Sequence, residues 1–344
     1  IPQAAVGIGT EDFPMTNNIF SSYTLRWLNY VTNTKMTDYT NFSNVKKWNS
    51  VYKKWYESGK PFRKLDSISG KSNPIFQEWL NHPSYDSYWK NMIPYKKEFS
   101  KINIPILTIT GYYDADQLGA LYYLKNHYKY NKNANHYLII GPYDHSGAQG
   151  YIKNNLKGYI IDPVANIDLN KIWIEWFDYI LKDGEKPSFL KNKINYQVMG
   201  NNQWKSEPSI DNFNKNNVKF YLSNNELLSS SKILDKNFSS LKVNLADRSD
   251  ADELLELKYD VIESNIYTKN SLVFTTKNFE KSFEFSGNFS GNLKFSTNKK
   301  DIDLFIYLYE LMSDGKYFLL STYYERASYN KNNEKRNLLT PNKY

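Results

Sequence analysis

The chain has 344 residues, of which 40% are hydrophobic and 17% aromatic, with 30 Tyr and no Cys. This composition is typical of a folded protein with a ring-rich interior, and the lack of Cys excludes disulfides, Cys nucleophiles and thiolate metal sites. The net charge is +8, but the Lys residues are scattered without a dense basic run, so we expect no nucleic-acid partner. No apolar run approaches the roughly 18 residues of a membrane span.

The first residues lack an initiator Met, a basic region and a long apolar stretch, so no signal peptide is visible. Residues 1–10 are instead typical of a short buried strand that ends in Gly7-Ile8-Gly9. A chain that opens inside a strand is expected to be processed or incomplete. The sequence leaves localisation and oligomeric state open.

Residues 13–100 are rich in aromatic and aliphatic side chains that recur at helical spacing, which predicts a helical segment. Its Trp side chains either line an apolar acyl pocket or pack the helices together, and the sequence alone leaves both interpretations open. They are Trp27, Trp48, Trp55, Trp79 and Trp89.

Two compact apolar runs follow, at 104–110 and 136–140, and both end in Gly. Runs without alternation are expected of parallel strands buried on both faces. Helical patterns cover 117–128 and 168–182, the second with Asp168 as its N-cap. This strand–helix order predicts a parallel α/β sheet.

After Lys193 the pattern changes to short alternating segments without a convincing helix, which predicts an all-β sandwich or jelly roll. The sequence therefore predicts three parts: an α/β part at 1–12 and 101–190, a helical cap at 13–100, and a β domain at 191–344. The predicted strands of the last part are 194–199, 218–222, 272–276, 281–286, 291–297, 302–311 and 317–324.

Asp114 and His145 follow the two apolar strands, 31 positions apart. Since the carboxyl ends of parallel strands open on one edge of a sheet, a right-handed crossover brings both loops together there. Acid followed by His is the order of the second and third members of an α/β-hydrolase triad. His145 is then the general base, with a pKa near neutrality, and Asp114 orients its ring.

Each residue also has a structural interpretation: Asp114 as a helix cap and His145 as a loop residue that binds a carbonyl. Asp116 is the better cap, because it directly precedes the helix, and Asp144 is interpreted as a residue that fixes the loop. The two Gly-terminated strands together favour the catalytic interpretation.

The chain contains no Gly-x-Ser-x-Gly motif in a strand–turn–helix setting. Ser146 directly follows His145 and cannot reach its neighbour's ring in the needed geometry. The nucleophile is therefore expected before Ile1. No His-x-x-x-His or mixed carboxylate cluster has metal spacing, and no phosphate loop is present, so we expect neither metal nor cofactor.

The runs Gly111-Tyr112-Tyr113-Asp114 and Gly141-Pro142-Tyr143-Asp144-His145-Ser146 resemble the Asp and His motifs of the cocaine-esterase-like (CocE/NonD) hydrolases. That family is related to Xaa-Pro dipeptidyl-peptidases and α-amino-acid ester hydrolases. Residues 82–89 are similar to the family's cap segment, and residues 196–204 to the entry into its C-terminal jelly roll. The resemblance covers essentially the whole chain.

The resemblance implies a serine hydrolase of ester or amide bonds with a helical cap and a galactose-binding-like jelly roll. Asp114 and His145 match the family's triad positions, whereas its Ser and oxyanion hole are expected upstream, so this chain alone is predicted to be inactive. Substrate-binding candidates are Trp89, Tyr112 and Tyr143, and the expected partner is a small ester, amide or short peptide. The alternative is a non-catalytic saccharide- or peptide-binding protein with a degenerate hydrolase half. A nucleophile motif encoded upstream of Ile1 favours the enzyme.

Overall fold

The computed structural model describes residues 1–9, 11–32, 36–223, 226–232, 238–256 and 260–343. The N-terminal residues lie along a strand of a larger sheet. Ala4 donates its backbone N–H to the carbonyl of Ile109 at 3.0 Å, and Ile109 donates to Pro2 at 3.0 Å. The opening segment therefore pairs with the sheet through one bridge, at Gln3, and not as the continuous buried strand predicted for residues 1–10. Three short strands follow and pair with one another: β1 (Ile8–Gly9), β2 (Phe13–Thr16) and β3 (Ile19–Phe20).

Helices dominate the next part of the chain, as predicted. Among the described residues they are α1 (Tyr23–Thr32), α2 (Tyr39–Ser43), α3 (Val45–Ser58), α4 (Leu65–Ile68), α5 (Pro74–Asn81) and α6 (Ser87–Lys90), with 3₁₀ turns at Phe62–Lys64 and Lys96–Lys101. Asn44, Asn73 and Asp86 cap α3, α5 and α6 through their side chains. We call this part the cap; Trp48, Trp79 and Trp89 lie in its hydrophobic core.

A mostly parallel sheet follows the cap. It contains β4 (Ile106–Gly111) and β5 (His136–Gly141), joined by α7 (Gln117–Tyr130). After β5 come α8 (His145–Ala148), the small hairpin β6 (Asn155–Leu156) and β7 (Tyr159–Ile160), a 3₁₀ turn at Pro163–Ala165 and α9 (Leu169–Leu181), which Asp168 caps as predicted. β8 (Ile194–Val198) then pairs parallel with β5, and β9 (Gln203–Glu207) pairs antiparallel with β8.

β8 joins the sheet of β4 and β5, although residues 194–199 fall in the part predicted as the β domain. Residues 194–199 alternate apolar and polar, and we assigned them to the β domain, but all five residues of β8 are buried in the α/β sheet. Their polar side chains have partners inside the protein. Asn195 accepts from Lys191 N at 3.1 Å, and Gln197 donates to Asp162 at 2.7 Å. The alternation of apolar and polar residues in β8 predicted a strand with one exposed face. In the structure the polar face is buried as well.

The part after β9 contains fewer strands than predicted in the region that the structure describes. A 3₁₀ turn at Ile210–Asn214 is followed by five strands: β10 (Tyr221–Leu222), β11 (Leu228–Ser229), β12 (Ile262–Glu263), β13 (Asp303–Leu311) and β14 (Tyr317–Arg326). A 3₁₀ turn at Ala327–Tyr329 follows β14. The last two confirm the predictions at 302–311 and 317–324. Residues 281–286 and 291–297 form no strand, and 272–276 contribute a single bridge at Thr275. A helix that was not predicted, α10 (Ala251–Glu256), follows β11.

The C-terminal part holds the cap through buried polar contacts. Asp250, which is buried, accepts hydrogen bonds from Tyr56 of α3 at 2.8 Å and from Tyr267 at 2.7 Å. Asn18 donates to the carbonyl of Asn333 at 3.0 Å. These bonds connect the cap to two separate segments of the C-terminal part. Across the described ranges, none of the helices has the length and hydropathy to cross a membrane.

Candidate active site

The loops after β4 and β5 are bonded to each other through their backbones. The two strands are in register, with Gly111 opposite Gly141. Beyond the strand ends, Tyr112 N–H donates to the carbonyl of Gly141 at 2.9 Å, and Tyr113 N–H donates to that of Tyr143 at 3.1 Å. The sheet thus brings the two predicted catalytic loops together at its carboxyl edge.

Gly111 makes this close approach feasible. A Cβ atom at position 111 would lie 2.0 Å from the carbonyl oxygen of Tyr143 and 2.5 Å from its carbonyl carbon. Backbone atoms cannot give way as a flexible side chain can, so only glycine fits here.

Asp114 is held rigidly at the end of the first loop. Its side chain is 0% exposed. Oδ1 accepts from Asp116 N at 3.1 Å and from His145 Nδ1 at 3.2 Å, while the hydroxyl of Thr110 lies 3.5 Å from Oδ2. A buried carboxylate in these contacts fixes the orientation of the imidazole.

His145 is the first residue of α8. The preceding Asp144 caps this helix, since its Oδ1 accepts from Gly147 N at 2.8 Å, which fits its interpretation as a loop-fixing residue. With Nδ1 turned to Asp114, the ring presents Nε2 outward, and the side chain is 55% exposed. Nε2 lies 3.1 Å from Nε2 of Gln149, the residue that directly follows α8.

Asp116 was predicted to cap α7, and the structure corrects this prediction. Its side chain makes no capping hydrogen bond. Instead, Oδ2 lies 3.3 Å from His145 Nδ1, almost the same distance as Asp114 Oδ1. The hydrogen bond from Asp116 N to Asp114 turns the chain so that the second carboxylate faces the imidazole. Position alone, directly before a helix, could not reveal this.

The two carboxylates change the expected protonation of His145. The hydrogen bonds with Asp114 and then Asp116 raise the pKa of His145 to about 10, and burial opposes them only in part. The sequence led us to expect a pKa near neutrality. The two carboxylates therefore favour the protonated form of the ring more than a single carboxylate would.

A third carboxylate, Asp12, lies close to Asp114 and Asp116 and was not singled out from the sequence. It is buried and accepts from Gly7 N at 3.1 Å. Burial, followed by the negative charges of Asp116 and Asp114, raises the pKa of Asp12 to about 8. Because Asp12 lies about one hundred positions before Asp114, only the fold reveals the cluster.

Three side chains near the ring each offer one atom that could bind a metal, and these atoms lie within 4.8 Å of one another. They belong to Asp114, Asp116 and His145. Such a group can in principle hold a cation. However, the carboxylate oxygens already accept hydrogen bonds from His145 and from Asp116 N, which explains the geometry, and we assign no metal ligand here. The absence of a metal site stays a prediction.

The three substrate-binding candidates do not contribute free polar groups to this site. Trp89 is 0% exposed and its indole donates to the carbonyl of His82 at 2.8 Å. Tyr143 is 1% exposed and donates to Ala165 O at 2.7 Å, and Tyr112 donates to Gln197 O at 2.8 Å. Their rings support the fold, and we do not include them in the function proposed below.

Two family models match the chain. The model described as "X-Pro dipeptidyl-peptidase (S15 family)" matches residues 15–147, which contain both Asp114 and His145. The model described as "X-Pro dipeptidyl-peptidase C-terminal non-catalytic domain" matches residues 190–344. Over both of these ranges the chain is therefore similar to X-Pro dipeptidyl-peptidases of the S15 family. The C-terminal match begins before β8, although β8 and β9 are part of the α/β sheet.

Solved structures also resemble the fold of the chain at low sequence identity. An α-amino acid ester hydrolase superposes with a TM-score of 0.67 at 16% identity, over 98% of this chain and 59% of its own. An aminopeptidase from a marine sediment Thaumarchaeota archaeon gives a TM-score of 0.66 at 13% identity, over 99% of this chain and 59% of its own. The chain therefore spans about three fifths of the length of these proteins. None of the curated proteins matches the chain.

Proposed function

We propose that this chain is the acid–base part of a serine hydrolase that cleaves ester or amide bonds of the α-amino ester or Xaa-Pro dipeptidyl type. Asp114 and His145 are its Asp and His, and a Ser outside residues 1–344 is the nucleophile, so that the chain alone is inactive. The observation that carries the proposal is the contact of His145 Nδ1 with the fully buried Asp114 carboxylate, while Nε2 faces outward.

In the proposed mechanism, neutral His145 accepts the proton of the Ser hydroxyl at Nε2 as the hydroxyl attacks the acyl carbon. Asp114 keeps the proton on Nδ1 and stabilises the imidazolium that forms. The imidazolium then donates the Nε2 proton to the leaving amine or alcohol. Water repeats the cycle on the acyl-enzyme.

The acidic surroundings of His145 support a substrate with a free α-ammonium group. Asp116 is 19% exposed at its side chain, and its negative charge acts on the buried Asp12. No Lys or Arg forms a salt bridge with either of them among the described residues. The partly exposed carboxylate of Asp116, whose basic partner among the described residues is His145, can bind a primary ammonium group, since each charge-assisted hydrogen bond contributes about 1.5–3 kcal/mol. An α-amino acid ester, from which one structurally similar hydrolase takes its name, carries this group.

For the C-terminal part we keep the prediction of a galactose-binding-like jelly roll. It is supported by the long antiparallel pair β13–β14. The family match describes this domain as non-catalytic, which fits the location of the acid–base residues in the α/β part.

The proposal is tested with the protein that includes the residues encoded before Ile1. Hydrolysis of Ala-Pro-p-nitroanilide is compared with that of acetyl-Ala-Pro-p-nitroanilide, which lacks the ammonium group. We expect blocking to lower kcat/KM by about 10- to 100-fold, as the loss of one charge-assisted hydrogen bond does. His145→Ala is the control that removes turnover of both.

Equal kcat/KM for the free and blocked substrates would refute the ammonium site. Absence of hydrolysis of any ester or amide by the correctly folded wild type would refute the proposed hydrolase.

A further inference from the structure

The side of the cap built by α1 and α2 carries a positive charge without a negative partner. Arg26 of α1 is half-buried, and its Nε donates to the carbonyl of Phe42 at 2.7 Å. The guanidinium carbon lies over the Phe42 ring, 4.8 Å from the centroid. In the part of the chain that the structure describes, no carboxylate forms a salt bridge with Arg26, and no acceptor binds its terminal Nη atoms. These N–H groups remain available to an acceptor from outside.

A hydroxyl group near Arg26 also lacks a partner. The Tyr52 hydroxyl of α3 is buried, and it forms no hydrogen bond with any of the described residues. The Tyr52 ring packs against the hydrophobic core of the cap, and its hydroxyl interacts electrostatically with Arg26 and Tyr23. Native proteins retain few buried polar groups without a partner, and each of them calls for an explanation. A ligand that the described chain does not supply explains this one.

The three polar groups of this cluster are donors. Arg26 is always charged and has no acceptor atom. Burial raises the pKa of Tyr23 and that of Tyr52, so both hydroxyls are neutral and can donate at neutral pH. A carboxylate has two oxygens that accept several hydrogen bonds, and it also neutralises the guanidinium. A neutral acceptor would leave that charge unpaired. The chemistry of the cluster therefore selects a carboxylate.

Tyr23 connects the cluster to the candidate active site. Its ring lies 6.1 Å from that of Phe42 in an edge-on arrangement, and the residue is 40% exposed. Tyr23 interacts electrostatically with Arg26 and also with Asp116, which contacts His145 at 3.3 Å. The cluster is therefore adjacent to the loops that carry the proposed acid–base residues.

We propose that Arg26, Tyr52 and Tyr23 form a subsite for a carboxylate of the substrate, and that this subsite favours an acidic side chain at the Xaa position of an Xaa-Pro substrate. The assignment to Xaa rests on the function proposed above, in which the ammonium group of this residue binds at Asp116. The side chain of the same residue then extends toward Tyr23 and Arg26. Glu in this position pairs with the guanidinium, whereas Gln, which has nearly the same shape, does not.

Binding of two dipeptides tests the subsite without any catalytic assay. Isothermal titration calorimetry compares Glu-Pro with Gln-Pro in the protein that includes the residues encoded before Ile1. We expect Glu-Pro to bind about 10-fold more tightly or better, the usual effect of one charge-assisted hydrogen bond. Arg26→Gln should bind both dipeptides equally. Arg63→Gln, which alters an exposed arginine elsewhere in the cap, is the matched control and keeps the preference.

Tyr52→Phe separates a binding role from a structural one. The change removes only a hydroxyl that has no partner in the described structure, so urea unfolding should show a stability no lower than that of the wild type. The same variant should lose about 10-fold in affinity for Glu-Pro, because the carboxylate loses a donor. A less stable variant with unchanged affinity for Glu-Pro would show that the hydroxyl is structural and would remove it from the subsite.

Equal affinity of the wild type for Glu-Pro and Gln-Pro would overturn the proposal, as would a preference for Glu-Pro that survives Arg26→Gln. Glutarate supplies carboxylates without the peptide and should bind more weakly than Glu-Pro. Equal affinity for glutarate would indicate a site for free dicarboxylates and would overturn the assignment to the substrate. No bond is cleaved in these measurements, so their result stands apart from the success or failure of the proposed hydrolase.

Discussion

His145 and His136 respond in opposite ways to their surroundings. Hydrogen bonds to Asp114 and Asp116 raise the pKa of the half-exposed His145. Burial, followed by the neighbouring His127 and Lys193, lowers the pKa of His136 to about 3. The same type of side chain is therefore favoured in its protonated form at the sheet edge and in its neutral form inside the sheet.

The neutral state of His136 is fixed by a chain of hydrogen bonds. His127 Nε2 donates to the carbonyl of Ile102 at 3.0 Å, so its Nδ1 accepts from His136 Nδ1 at 3.1 Å. His136 Nε2 then accepts from the hydroxyl of Thr108 at 2.7 Å. Each donor in this chain meets one acceptor, and neither ring needs to be charged.

This chain predicts acid sensitivity. The folded pKa of His136 lies below the unfolded value of about 6.5, so the unfolded state binds the extra proton, and stability falls as the pH drops below about 6.5. The slope for one group approaches 1.4 kcal/mol per pH unit. In urea unfolding between pH 6.5 and 4.5, we expect His136→Gln to lose about 2 kcal/mol less than the wild type.

His82 supplies the control for this experiment. Burial lowers its pKa, but the hydrogen bonds to Asp86 and Glu78 outweigh burial and leave the pKa raised. Its contribution is present at low pH and is lost as the pH rises, so His82→Gln should keep the acid sensitivity of the wild type. Parallel pH profiles for the wild type and His136→Gln would contradict the assignment.

At the residue level, sequence reasoning could place Asp114 and His145, because strand ends in a parallel sheet meet at one edge. It assigned Asp116 to a cap, since the residue precedes a helix, and it did not find Asp12. Both depend on how a backbone turn aims a side chain, which spacing along the chain does not encode.

Among the secondary-structure elements, β4 and β5 position the candidate active site, because the loops that follow them contact each other. The contact of Gly111 with Tyr143 leaves no room for a side chain. Gly111→Ala should lower the free energy of unfolding by at least about 1–3 kcal/mol, the usual cost of overpacking. It should also move the loop of Asp114 away from His145.

Gly291→Ala is the matched control, since a Cβ there has nothing within 4 Å. Its free energy of unfolding should stay within about 0.5 kcal/mol of the wild type. Urea unfolding of the three proteins measures both values. Equal stability of Gly111→Ala and the wild type would show that the two loops do not need this close approach.

The strands and helices of the α/β part could be predicted because their apolar patterns are strong. The errors have a common physical cause, which is that alternation reports polarity and not exposure. β8 alternates because Asn195 and Gln197 are buried with partners. Residues 281–297 alternate, but Phe283, Phe285 and Phe289 remain about half exposed and no strand forms there in the described structure.

In the whole molecule, the cap and the C-terminal part meet around Asp250 and Asn333, while the catalytic loops lie in the α/β sheet. The cap also reaches the site, because Tyr23 of α1 interacts with Asp116. Parts that are separate in sequence are thus joined by side-chain contacts, and the charge of Asp116 beside His145 acts on the cap. The sequence predicted the parts, but their mutual contacts depend on side chains hundreds of positions apart.

The most direct test concerns Asp114 in the protein that includes the residues encoded before Ile1. We expect Asp114→Asn to lower kcat for Ala-Pro-p-nitroanilide by about 10³- to 10⁴-fold, because the ring is then held in the wrong tautomer. Asp168→Asn, which alters a carboxylate at the start of α9, should keep the wild-type kcat. A folded Asp114→Asn protein with near-normal kcat would show that the contact between Asp114 and His145 is structural and not catalytic.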